Sequence, residues 1–190
     1  MSRIGWKAGF GSPAALARLG LERPLVGSLY AEGALPDGAR VSVGSWTRPR
    51  LEAEIAVWVG AGGSIGGLGA AIELADLEFE PDDVERILAG NIFHRHVLLG
   101  PVDPSRTTAA QVSCRVFRDG VEVAATGEPE ALTGKLVDVL AAVAAYAGDE
   151  LGEGHVVIAG AVVPPLAVEP GQRWRVELPP LGSLSVTIDR

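Results

Sequence analysis

Apolar positions fall into short runs broken by glycine and proline, and the spacing within each run identifies its element. Leu51–Val59 (Leu-Glu-Ala-Glu-Ile-Ala-Val-Trp-Val) is rich in β-formers and has no turn residue, which predicts a buried strand. Val112, Cys114 and Val116 alternate ahead of Asp119-Gly120, and Val121–Ala125 follows, the pattern of a hairpin closed by an Asp-Gly turn. Three more β-like runs end the chain: His155–Ala159, Trp174–Leu178 and Leu184–Ile188. Helical spacing occurs in Leu132–Ala147, where Leu136, Val139, Leu140, Val143 and Tyr146 form one apolar face. Ser12 as N-cap, Pro13 at the first position and Gly20 as stop predict a short helix over 14–19. Pro81–Leu88 reads as a helical turn with acids at its start, and 35–50 as loop around one short strand. The sum is a β-dominated α+β fold with one main helix, in a single domain over 1–190.

Glu52 and Glu54 are out of place in this pattern. Ionised carboxylates are rarely buried in an apolar strand without compensation. Side chains alternate along a strand, so both point to one side, roughly 7 Å apart at the backbone. Two like charges facing one volume call for a cation. Glu73, in Ala70–Asp76, is a third acid among apolar residues. Three carboxylates without His or Cys make a hard oxygen site suited to Mg²⁺ or Mn²⁺ rather than zinc. The competing expectation is that Glu52 or Glu54 faces solvent from an edge strand, or pairs with Arg48 or Arg50.

Other candidate chemistry is weaker. The run Gly60–Gly69 follows a strand, yet the third glycine of a dinucleotide fingerprint is replaced by Ile65, so a flexible connector is expected. His94-Arg95-His96 presents two imidazoles without the spacing of a zinc site, so surface or substrate-contacting histidines are the better reading. No nucleophile elbow is present, and Cys114 sits in a core alternation.

Composition narrows the function classes. A net charge of −8 argues against a nucleic-acid binder. No apolar run reaches the ~18 residues of a membrane span. The single cysteine and the absence of an apolar leader in 1–7 point to a cytoplasmic location. Fourteen of the sixteen cations are Arg, so Lys7, set among glycines and Trp6, stands out.

Four segments in order carry a family pattern: Gly5-Trp6-Lys7-Ala8-Gly9-Phe10 with Ser12-Pro13; Pro24–Leu29; Pro49-Arg50-Leu51-Glu52-Ala53-Glu54-Ile55-Ala56; and Ala71-Ile72-Glu73-Leu74-Ala75-Asp76. The tail segments 154–160, 168–171 and 181–184 follow it as well. The chain resembles the 2-keto-4-pentenoate hydratase and 4-oxalocrotonate decarboxylase group of the fumarylacetoacetate hydrolase superfamily. The resemblance implies a rolled, barrel-like mixed β-structure assembled as a homodimer or larger homo-oligomer. It implies that Glu52, Glu54 and Glu73 hold a divalent metal, Mg²⁺ or Mn²⁺ by the hardness of the oxygens, and that Lys7 lies in the active site; Asp76, three residues from Glu73, reads as a reserve ligand or base. The implied reaction is that of a metal-dependent lyase, hydratase-like or decarboxylase-like, working through the enolate of a small 2-keto acid. On this reading Lys7→Ala impairs turnover more than folding.

The family pattern also differs in places. Its Ala-Asp-Asn-Ala-Ser segment reads Ala89-Gly90-Asn91-Ile92-Phe93, and its Gly-His-Pro before the long helix reads Thr133-Gly134-Lys135. The family carries several dozen residues before the Gly-x-Lys segment, which here stands at 5–7, and a longer helical insert between the second and third acids. With the acid and hydroxyl absent, Phe93 and His94 are expected to shape the substrate pocket. A repurposed isomerase or cyclase taking a larger apolar substrate is the second expectation, and a non-catalytic scaffold subunit the third.

Overall fold

The structure, a computed structural model, describes residues 2–190. Its first half contains β1 (Arg3–Gly9), α1 (Pro13–Leu19), β2 (Leu25–Tyr30), β3 (Ala34–Leu35), β4 (Ala39–Ser42), β5 (Pro49–Val59), β6 (Ile65–Asp76), α2 (Val84–Ala89) and β7 (His94–Leu99). The second half adds β8 (Cys114–Arg118), β9 (Val121–Thr126), α3 (Leu136–Ala147), β10 (Val156–Ala161), β11 (Leu166–Ala167), β12 (Arg173–Glu177) and β13 (Ser183–Asp189). Two sheets result. One runs β2-β1-β10-β5-β6-β7-β3, with β11 also on β5; the other runs β4-β13-β12-β8-β9. Most neighbours are antiparallel; β1–β10, β3–β7 and β4–β13 are parallel. This is the α+β, mixed-sheet architecture with one main helix that the sequence predicts.

The sheet core is the long β5–β6 hairpin, which registers Glu52 opposite Glu73 and Glu54 opposite Ala71. Its two faces do different work. Leu51, Ala53, Ile55 and Val57 of β5 and Leu68, Ala70, Ile72 and Leu74 of β6 join Val139 and Val143 of α3 and Trp174, Val176 and Val186 of the second sheet in the main core. The alternate positions face the other way, where Ala56, Ala71, Val97 and Ile158 form a smaller cluster. The three acids project from that second face. A one-residue slip would turn them into the main core, so packing on one face fixes the acids on the other.

Local signals behave as their chemistry requires. Ser12 accepts a hydrogen bond from the Ala15 N–H at 3.2 Å, and Gly20 ends α1 at φ 64°. Asp83 caps α2 through the Arg86 N–H. The Asp119-Gly120 turn joins β8 to β9. Three expectations need correction. The Gly60–Gly69 run is not a connector: only 60–64 turn, and β6 begins at Ile65 because strand pairing with β5 supplies the partners that glycine side chains do not. The main helix starts at Leu136 rather than Leu132, since 132–135 form a turn with Gly134 at φ 81°. Tyr146 is not on the buried face; it is 61% exposed, with its ring edge-on to Trp6. Among the described residues, no helix is long and apolar enough to cross a membrane.

Candidate metal centre

Four strands that are scattered in sequence converge on the acids. β1 brings Lys7, β5 brings Glu52 and Glu54, β6 brings Glu73, and β7 starts with His94. One carboxylate oxygen of each of Glu52, Glu54 and Glu73 lies within 4.8 Å of the other two. Glu54 and Glu73 are fully buried, and Glu52 is partly open. Neither Arg48 nor Arg50 neutralises them: Arg48 pairs with Glu80, and Arg50 donates to the Pro49 carbonyl at 3.0 Å.

The cluster is only partly satisfied from within. Lys7 Nζ pairs with Glu73 Oε1 and also donates to the Ile92 carbonyl at 3.1 Å. His94 Nδ1 lies 2.7 Å from the same Glu73 oxygen. Glu54 Oε2 accepts the Gly160 N–H at 2.7 Å; Gly160 lies in the register shift of the β10–β5 pairing, at φ 99°. Glu54 Oε1 and Glu73 Oε2 are buried with no partner. An orphaned buried oxygen costs about 1–3 kcal/mol, more when charged. Two of them in a cluster of three carboxylates fit a divalent ion with hard oxygen ligands.

The electrostatics separate the three acids. Burial, then the Glu73 charge, pushes Glu52 up to about 7. Burial, Glu73 and Glu52 hold Glu54 well above the usual carboxylate range. Burial alone would raise Glu73, but Lys7 and then His94 outweigh it and bring it down to about 2. Burial lowers Lys7, yet the charges of Glu73, Glu52 and Glu54 leave it raised. The signs give a pH profile for the metal-free protein. The depressed Glu73 contributes stability that is complete above its unfolded value of 4.5 and is lost as pH falls toward 2. The raised Glu52 binds its proton more tightly when folded, so stability falls as pH climbs from 4.5 through about 7. Metal-free protein is therefore expected to be most stable near about pH 5. Urea midpoints that rise steadily to about pH 8 would contradict this arrangement of charges.

A left-handed turn frames the cluster. Asn91, Ile92 and Phe93 have φ of 51°, 53° and 63°, and Phe10 has φ 57°. Left-handed backbone costs about 1–2 kcal/mol per non-glycine residue, and a β-branched Ile is an outlier there. Compensation is visible. The Asn91 side chain accepts the Ser28 N–H at 2.8 Å and donates to the Ser28 carbonyl at 2.9 Å, and Phe93 packs on Phe79 with centroids 4.7 Å apart. A Cβ at Gly27 would sit 2.7 Å from Asn91 Oδ1 and 3.1 Å from Lys7 Cγ, so that glycine makes room for both. Beside the turn opens a cavity of about 350 Å³, with Lys7, Glu52, Gly160 and Phe93 among its lining residues.

Two residues lie elsewhere than expected. Asp76 is not near the other acids: it accepts from the Thr47 and Arg48 N–H groups at 2.9 and 2.8 Å, which ties the 46–48 loop to the end of β6. Three positions from Glu73 on a strand, it faces the opposite side. His94 does not line the cavity; it stands behind Glu73 and orients it. His96 does not join His94, because the β6–β7 register shifts between them and its ring stacks on Trp46, 6.0 Å away. Cys114 is buried, and burial pushes its thiol up to about 12, which leaves it inert. Sequence reasoning missed the Ile92 carbonyl, the Gly160 N–H and the Asn91 clamp; the one available signal was Gly160, just past the predicted strand 155–159 and inside the observed one.

No family model matches the chain. It is 30% identical over 200 residues to the 4-oxalocrotonate decarboxylase of Pseudomonas putida, covering 96% of this chain and 76% of that protein. Identity to 2-keto-4-pentenoate hydratase 2 of Dechloromonas aromatica is 29% over 200 residues, with the same coverage of 96% and 76%. Among solved structures, the 4-oxalocrotonate decarboxylase from Pseudomonas putida G7, complexed with magnesium and adipate, matches with a TM-score of 0.86. That match has 24% identity and covers 98% of this chain and 78% of that one. Fumarylpyruvate hydrolase from Pseudomonas aeruginosa, in complex with Mn²⁺ and pyruvate, matches with a TM-score of 0.73 at 18% identity, covering 99% and 90%. The structural matches establish the fold, and the sequence match over nearly the whole chain establishes the kinship. The chain belongs to the 2-keto-4-pentenoate hydratase and 4-oxalocrotonate decarboxylase family.

Proposed function

We propose that the protein is a divalent-metal-dependent lyase, hydratase-like or decarboxylase-like, acting through the enolate of a small 2-keto acid or related enolisable compound. The observation that carries this is the convergence of Glu52, Glu54 and Glu73 with two orphaned buried oxygens, beside a buried lysine and a cavity. The names of the relatives, and the Mg²⁺ and Mn²⁺ in the related structures, support the same reading. Mg²⁺ or Mn²⁺ bound there would supply Lewis acidity toward a keto oxygen.

The chain's own residues have distinct parts. The three carboxylates would hold the cation, with Glu52 on the cavity side. Glu73 is oriented by Lys7 and His94, and Glu54 by the Gly160 N–H. Lys7, donating to Glu73 and to the Ile92 carbonyl, is held as a cation with its charge near the cavity. That placement suits stabilisation of negative charge on a substrate oxygen better than removal of a proton. Asp76, tied to backbone amides, takes no part.

Calorimetry with Mg²⁺ and then oxalate, a mimic of a chelating enolate, tests the proposal. The expected result is Mg²⁺ binding that Glu52→Gln weakens, and oxalate binding that requires Mg²⁺. A protein that binds neither is a non-catalytic member of the fold, and the lyase reading falls.

A further inference from the structure

We infer that the substrate carries a bulky, uncharged apolar substituent remote from its chelating head, seated in the arm of the cavity walled by Phe10, Ala15, Leu77, Phe93, Leu132 and Val163. The inference rests on the proposed reading in one respect: the head of the substrate lies at the carboxylates. Three observations carry it.

The first is size. At the ~30 Å³ that a water occupies in the liquid, a cavity of about 350 Å³ takes roughly a dozen non-hydrogen atoms. A keto-acid head fills only part of that, and the remainder needs an occupant.

The second is the chemistry of the walls. Lys7 and Glu52 mark the end by the acids. Beyond them the polar groups are few and engaged: the Ser12 hydroxyl caps α1, and the Thr133 hydroxyl donates to the Gly134 carbonyl at 3.0 Å. Arg18, the other lining cation, is on an exposed position of α1. The one cation a second substrate carboxylate could reach away from the acids is exposed Arg18, where water screens the pair, and the apolar walls offer it nothing. An alkyl or aryl group loses nothing there and gains from leaving water.

The third is strain. Phe10 and Phe93, whose rings stand 6.5 Å apart, both line the cavity and both have left-handed backbone, at φ 57° and 63°. Two aromatic walls held at a conformational cost, and packed in one cluster with Ile87 and Ile92, give the cavity a surface of fixed shape. Phe79 backs Phe93 from outside, and the Arg86 guanidinium covers Phe79 at 3.8 Å. The wall is therefore supported and does not collapse into the cavity.

The test titrates protein with pyruvate, 2-oxo-4-phenylbutanoate and 2-oxoadipate, with and without Mg²⁺, with oxalate as a head-only control. The phenyl compound is expected to bind roughly 10- to 100-fold tighter than pyruvate, the gain from burying a phenyl-sized group. The 2-oxoadipate is expected to bind no tighter than pyruvate. Ala15→Phe, which fills the arm from α1, should remove most of the phenyl preference and leave oxalate affinity in place. Equal binding of the phenyl compound and pyruvate, a preference for the diacid, or a phenyl preference untouched by Ala15→Phe overturns the inference. Oxalate binding that ignores Mg²⁺ overturns the metal reading alone, because the comparison of phenyl compound with pyruvate still decides the arm.

Discussion

Lys7→Met is expected to destabilise the metal-free protein by about 3–5 kcal/mol, the cost of removing one partner from a buried ion pair. Lys7 is 3% exposed and Glu73 is at 0%. Methionine replaces the aliphatic stem and fills the volume, so what is lost is the charge. Glu73 then keeps only His94, opposite a second carboxylate directly across the β5–β6 register. The Ile92 carbonyl also loses its donor, which loosens the left-handed turn. The sequence reading places Lys7 in turnover more than in folding; the buried pair with Glu73 makes it a folding residue as well. Urea unfolding of chelator-treated protein checks this, and a change under about 1 kcal/mol would mean that the pair contributes little. Saturating Mg²⁺ should restore part of the loss, because the ion supplies positive charge at the same acids and binds only the folded chain.

Glu54→Gln is expected to act in the opposite sense on stability. Glutamine is nearly isosteric, and its side-chain carbonyl still accepts the Gly160 N–H. An amide removes the cost of a carboxyl held high by burial first and by the Glu73 and Glu52 charges next. The metal-free melting temperature should therefore rise. Divalent affinity should fall by about 100-fold or more, since losing even an outer partner of a metal ligand costs about 10–100-fold. The two effects together are diagnostic: a site shaped for a cation is strained without one, and relief of the strain removes the function. A lower melting temperature with unchanged Mg²⁺ affinity would show that Glu54 is a structural carboxylate satisfied by its hydrogen bond alone.

The parts of the fold legible in the chain are those with local causes. Ser12, Pro13 and Gly20 delimit α1 because caps and stops act within one turn. The Asp119-Gly120 hairpin depends on a two-residue turn, and it is where the alternation places it. The errors have non-local causes. Ile65–Gly69 looks like linker because glycine carries no side-chain pattern, yet its backbone pairs with β5. Tyr146 has helical spacing, yet its ring meets Trp6 of β1 only edge-on and stays 61% exposed.

The same division runs through the site. Strand alternation requires Glu52 and Glu54 to share a side, and their apolar neighbours require that side to be buried or compensated. Apolar neighbours likewise mark Glu73 as a third acid, and the family resemblance brings Lys7 to the same site. His94 reads as a substrate contact and Asp76 as a reserve ligand near Glu73, and place in the sequence does not determine direction. The β6–β7 register turns His94 onto Glu73, while the alternation of β6 turns Asp76 to the loop at 46–48.

By itself, then, the sequence determined the strand that holds the first two acids, their common side and the hardness of their ligand set, since these follow from residue type and a period of two. The tertiary structure decided that Lys7 neutralises Glu73, that two acid oxygens remain without partners, and that an apolar cavity adjoins them. The physical reason is the strand order β1-β10-β5-β6-β7, which brings residues 7, 54, 73, 94 and 160 together. Contacts set by long-range pairing leave no periodic trace in the chain that makes them.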